Sequence, residues 1–137
     1  MSALSAIEGA LLQALKVASE LEESFGAPVR IVEGEDARAA FPFLRLSRHQ
    51  ASPDEPADDG PVDHRLTLEL FSRAGGRKEA ARLVGLVESA IRSTQLTPEG
   101  HRLILFYPVY SDVFLRRDGV TFRGIVRLRA LSEPQPK

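Results

Sequence analysis

The three histidines, His49, His64 and His101, are the side chains best suited to moving a proton at neutral pH. Each stands near the end of a stretch patterned as a strand, and no two have the short spacing of a sequence-local metal site. Asp63 precedes His64, and Asp112 follows His101 at a distance, so a hydrolase would have to bring its groups together in space. No nucleophile is marked. Ser72 precedes Arg73 and lacks the glycine-flanked elbow that exposes a catalytic hydroxyl. The chain has no cysteine, which excludes disulfides, thiol catalysis and thiolate metal sites. Gly75-Gly76 fits neither the dinucleotide fingerprint nor the P-loop, and reads instead as a tight strand-to-helix turn. Asp54, Glu55, Asp58 and Asp59, in the segment SPDEPADDGP at 52–61, lack the alternate spacing and closing glutamate of a calcium loop. That segment reads as a mobile surface loop between two strands. The expectation is a non-enzyme with no catalytic residue, no metal and no cofactor.

Charge is the more informative chemistry. The net charge of −1 gives no overall basic excess of the kind nucleic-acid binders show, yet arginine outnumbers lysine 15 to 3. Arg123, Arg127 and Arg129 fall on one face of the last strand pattern, and Arg45 and Arg65 fall on outward faces of others. If those strands are neighbours, one sheet face is basic. One reading is a solvated face with cross-strand pairing to groups such as Glu69. The other is contact with DNA phosphates or an acidic partner, which salt would weaken.

Two elements must carry these groups. In His64–Phe71, Leu66, Leu68 and Leu70 alternate with Arg65, Thr67, Glu69 and Phe71, the period of a half-buried strand. After Gly75-Gly76, Ala80, Leu83, Val84, Val87 and Ile91 recur at helical spacing. The strand face and the helix stripe should bury each other as the centre of the core. Upstream, a single helix is expected over 4–25, with Leu4, Ile7, Leu11, Leu15, Ala18, Leu21 and Phe25 inward and Glu8, Lys16, Glu20 and Glu23 outside the stripe. Gly26 and Pro28 end it. Short strands follow at 29–32 and 43–47, joined by a polar connection over 33–40. Downstream, Thr97-Pro98-Glu99-Gly100 reads as a type I turn. Strands over 101–117 and 120–131 then flank Asp118-Gly119, a hairpin turn signal. Pro108 marks an edge position, a bend or a bulge. The alternation puts Val120, Phe122, Gly124, Val126, Leu128 and Ala130 on one face, and Thr121, Arg123, Ile125, Arg127, Arg129 and Leu131 on the other.

The expected fold is α/β (α+β): two main helices on one face of a four- to five-stranded, mainly antiparallel sheet with a long C-terminal hairpin. A single domain is expected over 1–132, with 133–137 a loose tail. The acidic outer side of the first helix points away from a membrane role.

The order of pieces resembles a known family. Helix, short strands with Phe41-Pro42-Phe43, "HRLTLELFSRAGG", helix, "PEGHRLILF", "RRDG" and "RGIVRLRAL" follow one another over about residues 4–132. This resembles the tail-completion, or tail terminator, proteins of long-tailed phages and of alphaproteobacterial gene transfer agents, which are similar to the phage lambda tail terminator. The acidic, proline-rich insert departs from that pattern.

The resemblance implies a structural virion protein. Such proteins form a ring, typically hexameric, that caps the tail tube and docks onto the head-side connector or stopper, with DNA passing through the lumen. Its place would be the head–tail junction of a particle assembled in the bacterial cytoplasm, with no membrane partner. Phe114, Arg116, Arg117, Ile125 and Leu131 are the expected subunit-interface residues. Arg65, Phe71, Arg123, Arg127 and Arg129 are expected to face the lumen or a partner. Other readings are a different junction ring such as a stopper or adaptor, a small intracellular ligand-binding protein or enzyme using the outer sheet face, and a DNA-binding module.

Overall fold

A computed structural model of the chain describes residues 2–34 and 39–135. The described elements run α1 (Ala3–Lys16), α2 (Ser19–Phe25), β1 (Phe43–Pro53), β2 (Val62–Ser72), α3 (Gly76–Ser93), β3 (His101–Leu115) and β4 (Phe122–Pro134). The four strands form one antiparallel sheet in the order β1-β2-β4-β3, and the helices lie on one side of it. The α+β architecture is therefore the expected one. The alternation in β2 and β4 explains the one-sidedness. Leu66, Leu68 and Leu70 pair with Leu128, Val126 and Gly124, so six adjacent positions present one continuous apolar surface.

α3 fills that surface. Its buried side chains are Ala80, Leu83, Val84, Val87, Ala90 and Ile91, the helical stripe of the sequence. Burying Leu83, Val84, Val87 and Ile91 contributes roughly 1.5–3 kcal/mol each. That outweighs the cost of about 1 kcal/mol for Gly85 within the helix. The strand-to-helix turn uses both glycines at positive φ, Gly75 at 81° and Gly76 at 67°. A Cβ on Gly75 would also stand 2.6 Å from Glu79 Cβ. Gly124 serves closeness instead: a Cβ there would lie 2.7 Å from both Leu70 Cγ and Val84 Cγ2. The missing side chain lets α3 settle on the junction of β2 and β4.

Several expectations change. The first helix is two helices. Val17 leaves helical geometry, Ala18 is extended, and Val29 N–H donates to the Lys16 carbonyl at 3.1 Å, holding the chain at the break. Residues 29–32 make an isolated parallel bridge between Ile31 and Leu44, not a strand of the sheet. Of the polar connection over 33–40, residues 35–38 lie outside the described residues. β1 runs on to Pro53, so Ser52 and Pro53 belong to a strand and the loop is 54–61. The turn before β3 closes one residue later than expected, with His101 N–H donating to the Pro98 carbonyl at 3.3 Å. Ser132, Glu133 and Pro134 continue β4, and Glu133 pairs with Arg102. The loose tail thus does not begin at 133, and 136–137 lie outside the described residues. Pro108 meets its expectation: β3 is an edge strand, with register shifts between Leu103 and Leu105 and between Pro108 and Tyr110.

If Gly124 sets the closeness of α3 to the sheet, Gly124→Ala should destabilise by about 1–3 kcal/mol through overpacking against Leu70 and Val84. Urea unfolding followed by circular dichroism checks this. An unchanged midpoint would mean the neighbours yield freely and the contact is not a constraint.

Candidate functional site

The uncovered face of the sheet carries most of the unusual side chains. Register places them in rows across the four strands. One row is Phe43, Phe71, Arg123 and Phe114. The next is Arg45, Glu69, Ile125 and Asp112. Arg48, Thr67, Arg127 and Tyr110 form a third, and Gln50, Arg65, Arg129 and Tyr107 a fourth. Arginine and aromatic residues alternate across strand boundaries, and the guanidiniums lie over rings. Arg45 and Arg116 sit 4.9 and 5.3 Å from the Phe71 centroid, Arg123 sits 5.2 Å from Phe114, and Arg127 sits 4.9 Å from Tyr110. Such contacts cover apolar rings while leaving charge in water.

Glu69 is the anchor of this face. Its carboxylate is 3% exposed. Arg45 donates to Oε1 from Nη2 at 3.0 Å and from Nε at 3.3 Å, and Arg123 pairs with Oε2 from the other side. Further along, Asp63 accepts from Arg129 Nε at 3.1 Å and pairs with Arg65 at 3.3 Å. The cross-strand pairing expected for these arginines is therefore present, and part of the basic row is neutralised within the subunit. At the hairpin end, Arg45, Glu69, Phe71, Phe114, Arg116 and Arg123 line a surface cleft of about 680 Å³ together with Leu115, Arg117 and Asp118.

The residues expected at interfaces divide into two groups. Arg116, Arg117, Arg65 and Arg127 are exposed, and Phe114, Arg123, Arg129 and Leu131 are half-buried. Phe71 and Ile125 are not surface residues. Phe71 is 2% exposed beneath two guanidiniums and against the Phe43 ring at 5.0 Å, and Ile125 is 7% exposed. The alternation placed both on the outer face correctly, but long arginine stems close over Phe71, and Ile125 sits between Glu69 and Asp112 across the strands with Arg123 and Arg127 beside it along its own.

The helix-side face holds a polar chain the sequence did not reveal. His49 Nδ1 lies 3.2 Å from Glu8 Oε1, His49 Nε2 2.8 Å from His64 Nδ1, and His64 Nε2 2.8 Å from Ser132 Oγ. One proton arrangement satisfies every link: Ser132 O–H donates to His64, His64 Nδ1–H to His49, and His49 Nδ1–H to Glu8. A hydroxyl, an imidazole and a carboxylate in series have the parts of a nucleophilic relay. Here, however, His64 and Ser132 are 0% exposed, so no substrate reaches the hydroxyl. The chain instead satisfies polar groups that the sheet and α1 bury. His64 and Ser132 share the phase of Leu66–Leu70 and Val126–Ala130, which was a legible signal. His49 reaches this face only through the register shift between Leu46 and Arg48. Among the described residues no cluster of histidine and carboxylate groups suits a metal. Among the described residues no helix is long and apolar enough to cross a membrane.

Comparison with known proteins follows the same direction. The model of the family described as tail completion protein gp17 matches residues 9–133, and the chain belongs to that family. It is a structural protein that completes the tail of a phage-like particle. Among solved structures, a chain in the virion of a native gene transfer agent particle is similar with a TM-score of 0.81 and 15% identity, over 97% of this chain and 99% of that one. The gp17 protein of bacteriophage SPP1 is similar with a TM-score of 0.60 and 22% identity, over 93% of this chain and 89% of that one. At these identities the likeness is one of fold. No curated protein matches the chain.

Two outcomes follow from the site. Burial, and then the neighbouring His49, push His64 from 6.5 down to about 4, and burial lowers His49 against the opposing pull of Glu8. The unfolded chain takes up these protons below pH 6.5 while the fold resists, so the stability is fully present above 6.5 and is lost as pH falls toward 4. For His64 the loss is on the order of 3 kcal/mol. Asp118, held near 2 by the Thr121 hydroxyl and the N–H groups of Val120 and Thr121, loses its contribution only below its ordinary 3.8. Urea midpoints measured from pH 7 to 4.5 should therefore fall and should fall less in His64→Gln; a flat profile would contradict the buried relay. On the outer face, Glu69→Ala strands two guanidiniums and should cost about 2 kcal/mol, discounted from a fully buried pair because both arginines reach water. A change within about 0.5 kcal/mol, the level of an ordinary surface substitution, would show that Arg45 and Arg123 find solvent at no cost.

Proposed function

We propose that this tail completion protein is a tail terminator: it assembles into a ring, most simply of six copies, that caps the tail tube and receives the head-side connector. Membership of the tail completion family over residues 9–133 carries this reading. The subunit's form supports it. Both sheet edges, β1 and β3, belong to long strands, and the outer sheet face carries no covering layer among the described residues. Large apolar side chains are exposed along or beside β3, including Ile104, Val109, Tyr110 and Leu115. Exposed apolar residues on a long edge strand favour association over a solitary subunit.

Within the ring, the hairpin end with Phe114, Arg116 and Arg117, and with Leu131 further along β4, forms a subunit contact. Arg65, Arg127 and Arg129 turn toward the lumen or an axial partner. Phe71 and Ile125 act from beneath, holding the arginines that cover them. The site of action is the head–tail junction of a virion assembled in the bacterial cytoplasm, with the tail tube protein and the connector as partners. The protein acts by contact and not by catalysis.

Cryo-electron microscopy of purified particles, with this fold located in the map, tests the role directly. A ring of it between tube and connector is the expected result, and its location elsewhere in the particle would reject termination. Phe114→Asp should cut the yield of joined particles roughly 30-fold if the ring contact contains a hot spot worth about 2 kcal/mol. Wild-type yield from that variant would remove the hairpin from the interface.

A further inference from the structure

Two unlike charged features stand at opposite ends of the sheet. At the hairpin end, four guanidiniums, those of Arg45, Arg116, Arg117 and Arg123, line the cleft against two carboxylates. Glu69 is already shared by Arg45 and Arg123. Asp118 is turned into its own loop, accepting from Val120 N–H, Thr121 N–H and the Thr121 hydroxyl. Among the described residues Arg116 and Arg117 therefore have no carboxylate partner, although Arg116 is held over Phe71.

At the other end is the loop joining β1 to β2. Asp54, Glu55, Asp58 and Asp59 are all exposed there, and none pairs with a cation among the described residues. The loop is ordered by its own backbone. Asp54 N–H donates to the Pro61 carbonyl at 2.9 Å, Ala57 N–H to Glu55 at 2.8 Å and Gly60 N–H to Ala57 at 3.2 Å. A pre-shaped loop loses less entropy on docking.

The register separates the two features by the length of β2: Val62 marks the loop end, and Phe71, opposite Arg123, the cleft end. At roughly 3.4 Å per residue that is about 30 Å, too far for a loop to reach its own cleft. Resting on the ring reading above, we infer that neighbouring copies are joined by charge, the acidic loop of one entering the arginine cleft of the next. Two different patches meeting in this way make a heterologous contact, which repeats from copy to copy and closes when the rotation allows. The complementarity also explains a neutral chain with so uneven a charge distribution: the excess at each end is the other's counter-charge.

The absence of native cysteine makes the test clean. Asp58→Cys and Arg117→Cys placed together supply the only thiols. Mild oxidation of the concentrated protein at low salt, and of purified particles, should give a ladder of covalent multimers that ends at the ring size. Arg117→Cys alone should stop at dimers. Charge reversal gives a second, independent measure. Arg116→Glu with Arg117→Glu, or Asp58→Lys with Asp59→Lys, should each reduce association about tenfold or more, and one chain carrying all four should recover it. A ring seen in particles with no ladder and with harmless reversals would overturn this contact and leave the ring standing. Particles in which the chain forms no ring would remove both. Cross-linking of Arg117→Cys to another virion protein, or loss of bound nucleic acid on reversal with self-association intact, would place a different occupant in the cleft and overturn the inference.

Discussion

The approach of α3 to the junction of β2 and β4 constrains the rest of the molecule. Gly124 removes the one side chain that would hold Val84 away from Leu70, and the helix stripe then covers the sheet from Ala80 to Ile91. Once that face is filled, α1 closes over β1, and α2 leans on α3 through Glu20, which accepts from Ser89 and Ser93 at 3.0 and 2.6 Å. The three helices of the described residues are committed to one side. A four-stranded sheet with a single helical layer leaves its second face to water or to other molecules. The exposure of that face is thus a consequence of the core.

An open sheet face must stay soluble without becoming inert. Here the rings of Phe71, Phe114 and Tyr110 lie beneath guanidiniums, and Glu69 ties Arg45 and Arg123 together at the centre. A buried carboxylate with two partners fixes positions better than it stabilises, because desolvation offsets much of the attraction. Its consequence is geometric. Arg45 and Arg123 are held in place before any partner arrives, which reduces what binding must order.

Much of this was legible in the sequence. Period-2 alternation in β2 and β4 located the core face and the arginine face, and the helical stripe located α3, because both patterns persist over many residues. What failed turned on single backbone events. The register shift between Leu46 and Arg48 carries His49 to the core side, so the Glu8–His49–His64–Ser132 chain spans four distant segments with no shared spacing. The break at Val17–Ala18 is held by a tertiary hydrogen bond from Val29, and no residue at the break is itself a helix breaker. Phe71 and Ile125 show the limit of facing as a guide: direction was right, exposure was wrong, since exposure depends on which long side chains lie across a position.

The nature of the outer surface bears on how such a subunit joins a particle. An apolar face would drive self-association wherever the chain is made, and an edge strand as long as β3 would add to that risk. The two register shifts in β3 interrupt its regular pairing, and charge dominates at both ends of the sheet. Charged contacts favour orientation and encounter rate over affinity, and salt screens them. Under the ring reading proposed above, a subunit so built would gain a stable place when several weak contacts form together on a template. On that reading the effective concentration set by the template, more than the strength of any one pair, would decide when the proposed ring closes.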